Sequence, residues 1–384
     1  MRVLYMKKIQ TLISRLAIGA IILLLAIGTI PTAQAQYAGT NGRILFSTPS
    51  GYATVRPDSS NFHILGTAVT GCYNRALVYN PAGTTIAYTG IASGNTDGDI
   101  FVRDSMFANT PQQLTNDINS NDCDPYYSPD GTRIAFARQS SVGSLYEVWV
   151  MNSDGTGQTQ LTDSINSGSS LNPVWLDANT IYVENGSDIV EIDSSTANQN
   201  TGTVIYDGTT VGADAFDISP DGSFIVFANE APTDGIYRCT LAATCTGATE
   251  IIADGAAGID GPTNPAYSPD GTSLVFVGNS PAPSQGEGIF ISNADGSGIA
   301  EMTFNNAGYI TLAYTTFQPF WGTNNDTFTS TGDGDTTSTP GVPNTTATKA
   351  TKNSPVPWML GGLLTLMLVG LGGFWITKEL KGRK

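Results

Sequence analysis

Three short stretches bring acidic side chains close together: Asp97-Gly98-Asp99, Asn121-Asp122-Cys123-Asp124, and Asp214 with Asp217. Carboxylates and amides at such spacing are ligands for hard cations, which extracellular modules bind at roughly millimolar to submillimolar affinity. None of the three fits the EF-hand spacing. Aspartates in Asn-x-Asp-Gly and Pro-Asp-Gly sequences also have a turn role, accepting backbone N–H bonds. The expectation is no resident cofactor and no metal residue, with weak calcium binding left open. Nucleophilic catalysis has less to work with. A Ser-His-Asp hydrolase needs an imidazole to take the serine proton, and His63, between Phe62 and Ile64, is the single histidine. There is no Gly-x-Ser-x-Gly either. An enzyme is disfavoured, and no residue is assigned to catalysis.

The four cysteines carry a different chemistry. One histidine and no Cys-x-x-Cys make zinc improbable, and in an exported chain cysteines read as disulfides. Cys239 and Cys245 flank a short hairpin and are expected to pair. Cys72 and Cys123 each precede the first strand of a repeat and form the second expected pair.

Charge narrows the partners. Nine basic residues face 32 acids between residues 37 and 355, and no lysine occurs between Tyr37 and Gly322. Such a surface repels phosphate backbones and favours basic partners or cations, so no nucleic acid is expected.

The ends of the chain read as addresses. Residues 16–30 are apolar, follow Lys7, Lys8 and Arg15, and lead to Ala33-Gln34-Ala35, the pattern of a signal peptide spanning 1–35 with Gln36 as the mature start. Residues 358–376 carry no charge and would be about 28 Å long as a helix, enough to span a bilayer. Trp358 and Trp375 sit near its two interfaces, and the basic tail 378–384 satisfies the positive-inside rule. A membrane helix is therefore expected at 356–377, with everything before it outside the cytoplasm. Residues 323–355 are rich in Thr, Asn, Gly and Pro and read as a disordered stalk, with an end-to-end distance of roughly 30 Å.

The elements that must position the acids and cysteines emerge from repeats. Ser128-Pro129-Asp130-Gly131 returns as Ser219-Pro220-Asp221-Gly222 and Ser268-Pro269-Asp270-Gly271, with a weaker copy at Asn80-Pro81-Ala82-Gly83 and a degenerate one near Asp177. Each follows a large residue, and Tyr79, Tyr127, Trp175, Ile218, Tyr267 and Trp321 mark six equivalent positions. Proline fixes φ and glycine tolerates positive φ, so each tetrapeptide is a turn. After it come two apolar strands, a second turn such as Asn152-Ser153-Asp154-Gly155, and a Leu-Thr such as Leu161-Thr162. Four-strand units of this size cannot fold singly and are the signature of propeller blades. Residues 44–65 supply three strands without a first one, and Pro319-Phe320-Trp321 supplies a first strand without successors. Together they make one blade. The fold class is all-β: a six-bladed β-propeller of about 24 strands within 36–322, closed by strands from its two ends.

These Ser-Pro-Asp-Gly units with their downstream Asp-Gly and Leu-Thr resemble PD40 repeats, the WD40-like type of TolB-like propellers. The resemblance covers roughly 280 residues and implies a rigid ring whose faces bind other proteins. The functional expectation is an exported, membrane-anchored binding module for protein partners or surface glycans with basic surfaces. The alternatives are a carboxylate- or metal-dependent carbohydrate-active enzyme at the propeller mouth, and a structural surface-layer component.

Overall fold

Each proline-glycine turn found in the sequence joins the first and second strands of a four-stranded antiparallel sheet. The computed structural model describes residues 39–48, 51–66, 77–92, 97–105, 109–209, 212–229, 234–241, 244–245, 247–280, 286–302 and 318–323. Among these residues there are six such sheets. Blade 1 consists of Leu77–Tyr79, Thr85–Ile91, Gly98–Asp104 and Gln112–Gln113; blade 2 of Asn121–Tyr127, Arg133–Gln139, Tyr146–Asn152 and Thr159–Gln160. Blade 3 runs from Ser170–Trp175 through Thr180–Asn185 and Asp188–Asp193 to Thr203–Tyr206. Blade 4 holds Asp214–Ile218, Phe224–Asn229, Gly235–Thr240 and Thr249–Ala253, and blade 5 holds Asp260–Tyr267, Ser273–Ser280, Gly286–Asn293 and Ala300–Glu301. In blade 6 the inner strand Phe320–Thr323 pairs with Asn41–Thr48, which continues into Gly51–Val55 and His63–Gly66. Leu161-Thr162, expected inside a fourth strand, instead follows it. The Thr162 hydroxyl accepts the Val148 N–H at 2.8 Å and donates to Glu147 at 2.6 Å.

The second strands explain why the sheets stack as a ring. Arg133–Gln139 is buried along five consecutive residues, Ile134 to Arg138, rather than on alternate ones. A strand covered on both faces loses the period-2 pattern, because a neighbouring blade lies on each side. The inner strands of successive blades touch one another around the complete circle, and Phe320–Thr323 touches both Leu77–Tyr79 and Asp260–Tyr267. Between blades lie the largest buried side chains, among them Trp175, Tyr126, Phe136, Phe216 and Phe276. Each such burial removes apolar surface from water at about 25 cal/mol per Å².

Ring closure is cemented by polar contacts as well. Ile44 sits opposite Trp321 and Leu45 opposite Phe320, and the Trp321 indole N–H donates to the Gly42 carbonyl at 3.2 Å. Gln318, fully buried, donates to the Phe216 carbonyl of blade 4 at 3.2 Å and to the Pro265 carbonyl of blade 5 at 2.5 Å. Thr323, which composition assigns to the stalk, belongs to the closing strand: it pairs with Asn41, and its hydroxyl donates to the Pro81 carbonyl of blade 1 at 2.7 Å. Gly322 is fixed by space, since a Cβ there would overlap the Tyr79 ring.

The expected signal peptide, the remainder of the stalk, the membrane helix and the basic tail lie outside the described residues. Among the described residues no helix is long and apolar enough to cross a membrane.

Candidate functional site

An antiparallel four-strand blade has two kinds of end. The first-to-second and third-to-fourth hairpins lie at one end, here called the turn face. The second-to-third hairpins and the links between blades lie at the other, the loop face.

On the turn face the aspartates are occupied by their own turns. Ser128 Oγ donates to Asp130 Oδ1 at 2.6 Å, and the same oxygen accepts the Thr132 N–H at 3.0 Å and hydroxyl at 2.8 Å. Asp221 and Asp270 repeat the arrangement with Ser219 and Ser223, and with Ser268 and Thr272. Partial burial pushes the Asp130 carboxyl up, but the bonds from Ser128 and Thr132 outweigh it and hold the group below the usual aspartate range. Asp154, Asp193 and Asp295 are lowered in the second turns, first by bonds from the hydroxyls of Thr156, Ser195 and Ser297. Between the inner strands, a partly open gap of about 10 Å³ lined by Tyr126, Asp217, Tyr267, Phe320 and Trp321 has room for about one water.

The expected disulfide between Cys239 and Cys245 is present at the third-to-fourth hairpin of blade 4, with a Cα–Cα distance of 5.6 Å. Cys123 is fully buried, and no described cysteine is free. Cys72, its expected partner, lies outside the described residues. His63 is half-buried, with its Nε2 against Asn61 Oδ1.

The loop face differs in two respects. Among the described residues the exposed large hydrophobic side chains are Ile91, Ile118, Val142 and Leu145. Ile91 opens the second-to-third hairpin of blade 1, Ile118 lies in the link to blade 2, and Val142 and Leu145 lie in the matching hairpin of blade 2. All four therefore share one face of two adjacent blades, with Val142 97% and Ile118 70% exposed. Asp117, beside Ile118, is exposed too.

The second respect is a buried acidic cluster. Of the acidic stretches found in the sequence, Asp97-Gly98-Asp99 stays within blade 1 and its neighbour: Asp99 accepts from Gln113 at 3.0 Å, and the Gly98 N–H donates to Asn121 at 2.7 Å. Asp122 makes a two-pronged ion pair with Arg138 at 2.6 and 2.7 Å, beneath the Trp149 ring. Asp217 accepts the Tyr267 N–H at 2.8 Å. Asp124 and Asp214, from different stretches, are brought together by Glu184, which sequence reasoning missed. Glu184 is the penultimate residue of the second strand of blade 3 and hydrogen-bonds to the Asp214 carboxyl of blade 4. Burial first, then repulsion from Asp214 and Asp124, raises its carboxyl well above the usual glutamate range. Beside it stands Asn172, whose backbone N–H meets Asp124 Oδ2 at 3.4 Å and whose neighbour Leu171 pairs with Glu184 across the sheet. Asn172 is fully buried, and among the described residues neither atom of its side-chain amide has a hydrogen-bond partner.

Asp124 and Asn172 occupy a repeated position three residues before the large residue that ends each inner strand. Ala215 and Asn264 fill it in the next two blades, and all four adopt positive φ, between 45° and 55°, at a break in strand register. Asparagine and aspartate tolerate this region better than other non-glycine residues. An Asx residue three positions before the marker residue is the available signal for this ring.

No protein-family model matches the sequence, and no curated protein does. Solved structures do. TolB from Acinetobacter baumannii aligns with a TM-score of 0.57 at 14% identity, over 74% of this chain and 67% of that one. Hydrazine synthase of Kuenenia stuttgartiensis gives 0.53 at 14%, over 73% of this chain and 46% of that one. A chain of a nidogen/laminin complex gives 0.52 at 11%, over 73% and 98%. At such identities the likeness is one of fold, and in fold this chain is a TolB-like six-bladed β-propeller.

Proposed function

We propose that the chain is an extracytoplasmic, membrane-tethered binding module whose loop face at blades 1 and 2 docks a protein partner. The observation that carries this reading is the gathering of Ile91, Ile118, Val142 and Leu145 on one face of neighbouring blades. Apolar groups that cost free energy in water, set in an acidic surface, suit a partner with apolar side chains among basic ones. The described residues include six arginines and no lysine, and Arg138 is paired with Asp122 in the interior, so little positive charge offsets that surface. The nidogen/laminin complex and TolB are proteins of the same fold, the first of them solved with a protein partner. The disulfide supports a place outside the reducing cytoplasm. The apolar run at 358–376 supports the tether.

The test is site-specific photo-cross-linking of the full chain in the producing organism's envelope, with the reactive group at Val142 or, on the turn face, at Thr156. A discrete protein adduct from Val142 alone, weakened by added salt, is the expected result. Adducts of equal yield from both positions, or retention of the chain on polysaccharide with no protein adduct, would overturn it.

A further inference from the structure

A cavity of about 400 Å³ opens on the turn face between blades 4 and 5. That is the size of a small-molecule site, and it lies on the opposite face from the docking surface proposed above. Pro220, Phe224 and Pro269 give it apolar walls, while Arg238, Tyr267 and Asp221 bring polar groups.

Tyr267 is the large residue that ends the inner strand of blade 5, and its hydroxyl sets it apart. At the same position of other blades Tyr79 shares its hydroxyl with Thr54, and Trp175 and Trp321 each donate an indole N–H to a carbonyl, all at 3.2 Å. Tyr267 is 5% exposed, and its buried hydroxyl has no hydrogen-bond partner among the described residues. Native interiors seldom carry such an atom, so in the wall of a cavity it marks the place of a bound group. Burial pushes its ionisation up and Arg238 opposes this, which puts the hydroxyl beside a second group of the same wall.

The arginine is placed differently here from its counterpart between blades 2 and 3. There the second strand begins with Arg133, whose guanidinium lies 4.5 Å over the Trp175 ring and bonds to Ala178 and Ser194 of blade 3. Here the second strand begins with Phe224, and the guanidinium comes from the third strand. Arg238 lies 4.8 Å over the Phe224 ring and donates through Nη1 to the Ala294 carbonyl at 2.7 Å, which leaves most of its N–H donors for another acceptor. Asp221 accepts Ser219 and Ser223 on Oδ1 and keeps Oδ2 as an acceptor. A guanidinium beside a neutral hydroxyl suits an oxyanion, and a carboxylate suits an ammonium. The acidic surface repels a simple anion, but not a molecule whose two charges cancel.

We propose that this cavity binds an α-amino acid with an apolar side chain, its carboxylate on Arg238 and the Tyr267 hydroxyl, its ammonium at Asp221 and its side chain against Pro220, Phe224 and Pro269. The test titrates the full chain in detergent with L-leucine and, separately, with L-phenylalanine, followed by calorimetry and thermal melting. Saturable heat and a raised Tm are expected. Tyr267→Phe gives up no internal hydrogen bond, so its Tm without added amino acid should match or exceed that of the wild type, while its affinity falls roughly tenfold. Arg238→Met should abolish binding. Should Arg238→Met fail to fold, Tyr267→Phe decides alone, and undiminished affinity in it would overturn the proposal. Silence from both amino acids would do the same. Isocaproate lacks the ammonium of leucine and isopentylamine lacks its carboxylate, so a response to either that equals the response to L-leucine would also overturn it.

Discussion

At the turn face one loop is built three times from the same residues, and its aspartates bond to their own backbone and hydroxyls. At the loop face Ile118 and Val142 stand open to water while Glu184 and Asn172 are shut away from it. The two faces hold the same kind of group, a carboxyl, shifted in opposite directions. Hydrogen bonds hold Asp130, Asp221 and Asp270 below the usual aspartate range, whereas burial and then neighbouring acids push Glu184 above the usual glutamate range. What repeats in this chain is scaffold chemistry, and what differs from blade to blade is where exposed apolar and buried acidic groups collect.

The contrast can be broken most forcefully at the loop-face side, where Asp122 neutralises Arg138 in the interior. Asp122→Ala strands a buried guanidinium and should cost about 3–5 kcal/mol in urea unfolding. A loss below about 1 kcal/mol, as for a surface pair, would deny that the inner strand of blade 2 depends on it. At the turn face the Cys239→Ser/Cys245→Ser double variant opens one short loop. A loss of about 2 kcal/mol is expected, with the loop face still competent to bind.

Smaller again is Asp130→Ala, which removes three bonds at an exposed turn and should cost about 1 kcal/mol at neutral pH. Because the Asp130 carboxyl is lowered on folding, its contribution exists above the ordinary aspartate range and fades as pH falls through it. Melting of variant and wild type should therefore converge in acid. Glu184 has the opposite sign. Its carboxyl is raised on folding, so its contribution is present below the ordinary glutamate range and fades as pH rises above it, and Glu184→Gln should flatten that limb of the Tm–pH curve. The smallest effect on stability belongs to Ile118→Ser, within about 0.5 kcal/mol of wild type. It should nonetheless abolish the Val142 adduct, and an adduct undiminished by it would separate the apolar patch from binding.

The turn face is legible in the amino-acid sequence alone, because Pro-Asp-Gly turns depend on local backbone chemistry and recur at a fixed period. The inner-strand positions of Tyr79, Tyr127, Trp175, Ile218, Tyr267 and Trp321 follow from the same period, as does closure of blade 6. Composition misplaces Thr323, whose type matches the stalk, while its pairing with Asn41 is a contact that local composition does not encode. The acidic cluster is half legible. Asp124 and Asp214 stand out as neighbours of other acids, but Glu184 sits in Ile181-Tyr182-Val183-Glu184 and reads locally as a strand residue. Only the stacking of three blades makes these groups neighbours. Asn172 gives no signal of burial, since its left-handed bulge turns on the register of the inner strand.

The strand that closes the ring also sets a clock. Trp321 and its partner Gly42 are 279 residues apart. With synthesis running at roughly 5–20 residues per second, the Asn41–Thr48 edge waits on the order of tens of seconds for its partner. During that interval Ile44, Leu45 and Phe46 belong to an open sheet edge, a template for pairing with other chains. Blades 1 to 5 can assemble in order as they emerge, but the molecule becomes resistant to misassociation only when its last strand arrives. The nascent chain is thus most vulnerable just before the ring is complete, and factors that shield strand edges would have their greatest effect on its yield in that window.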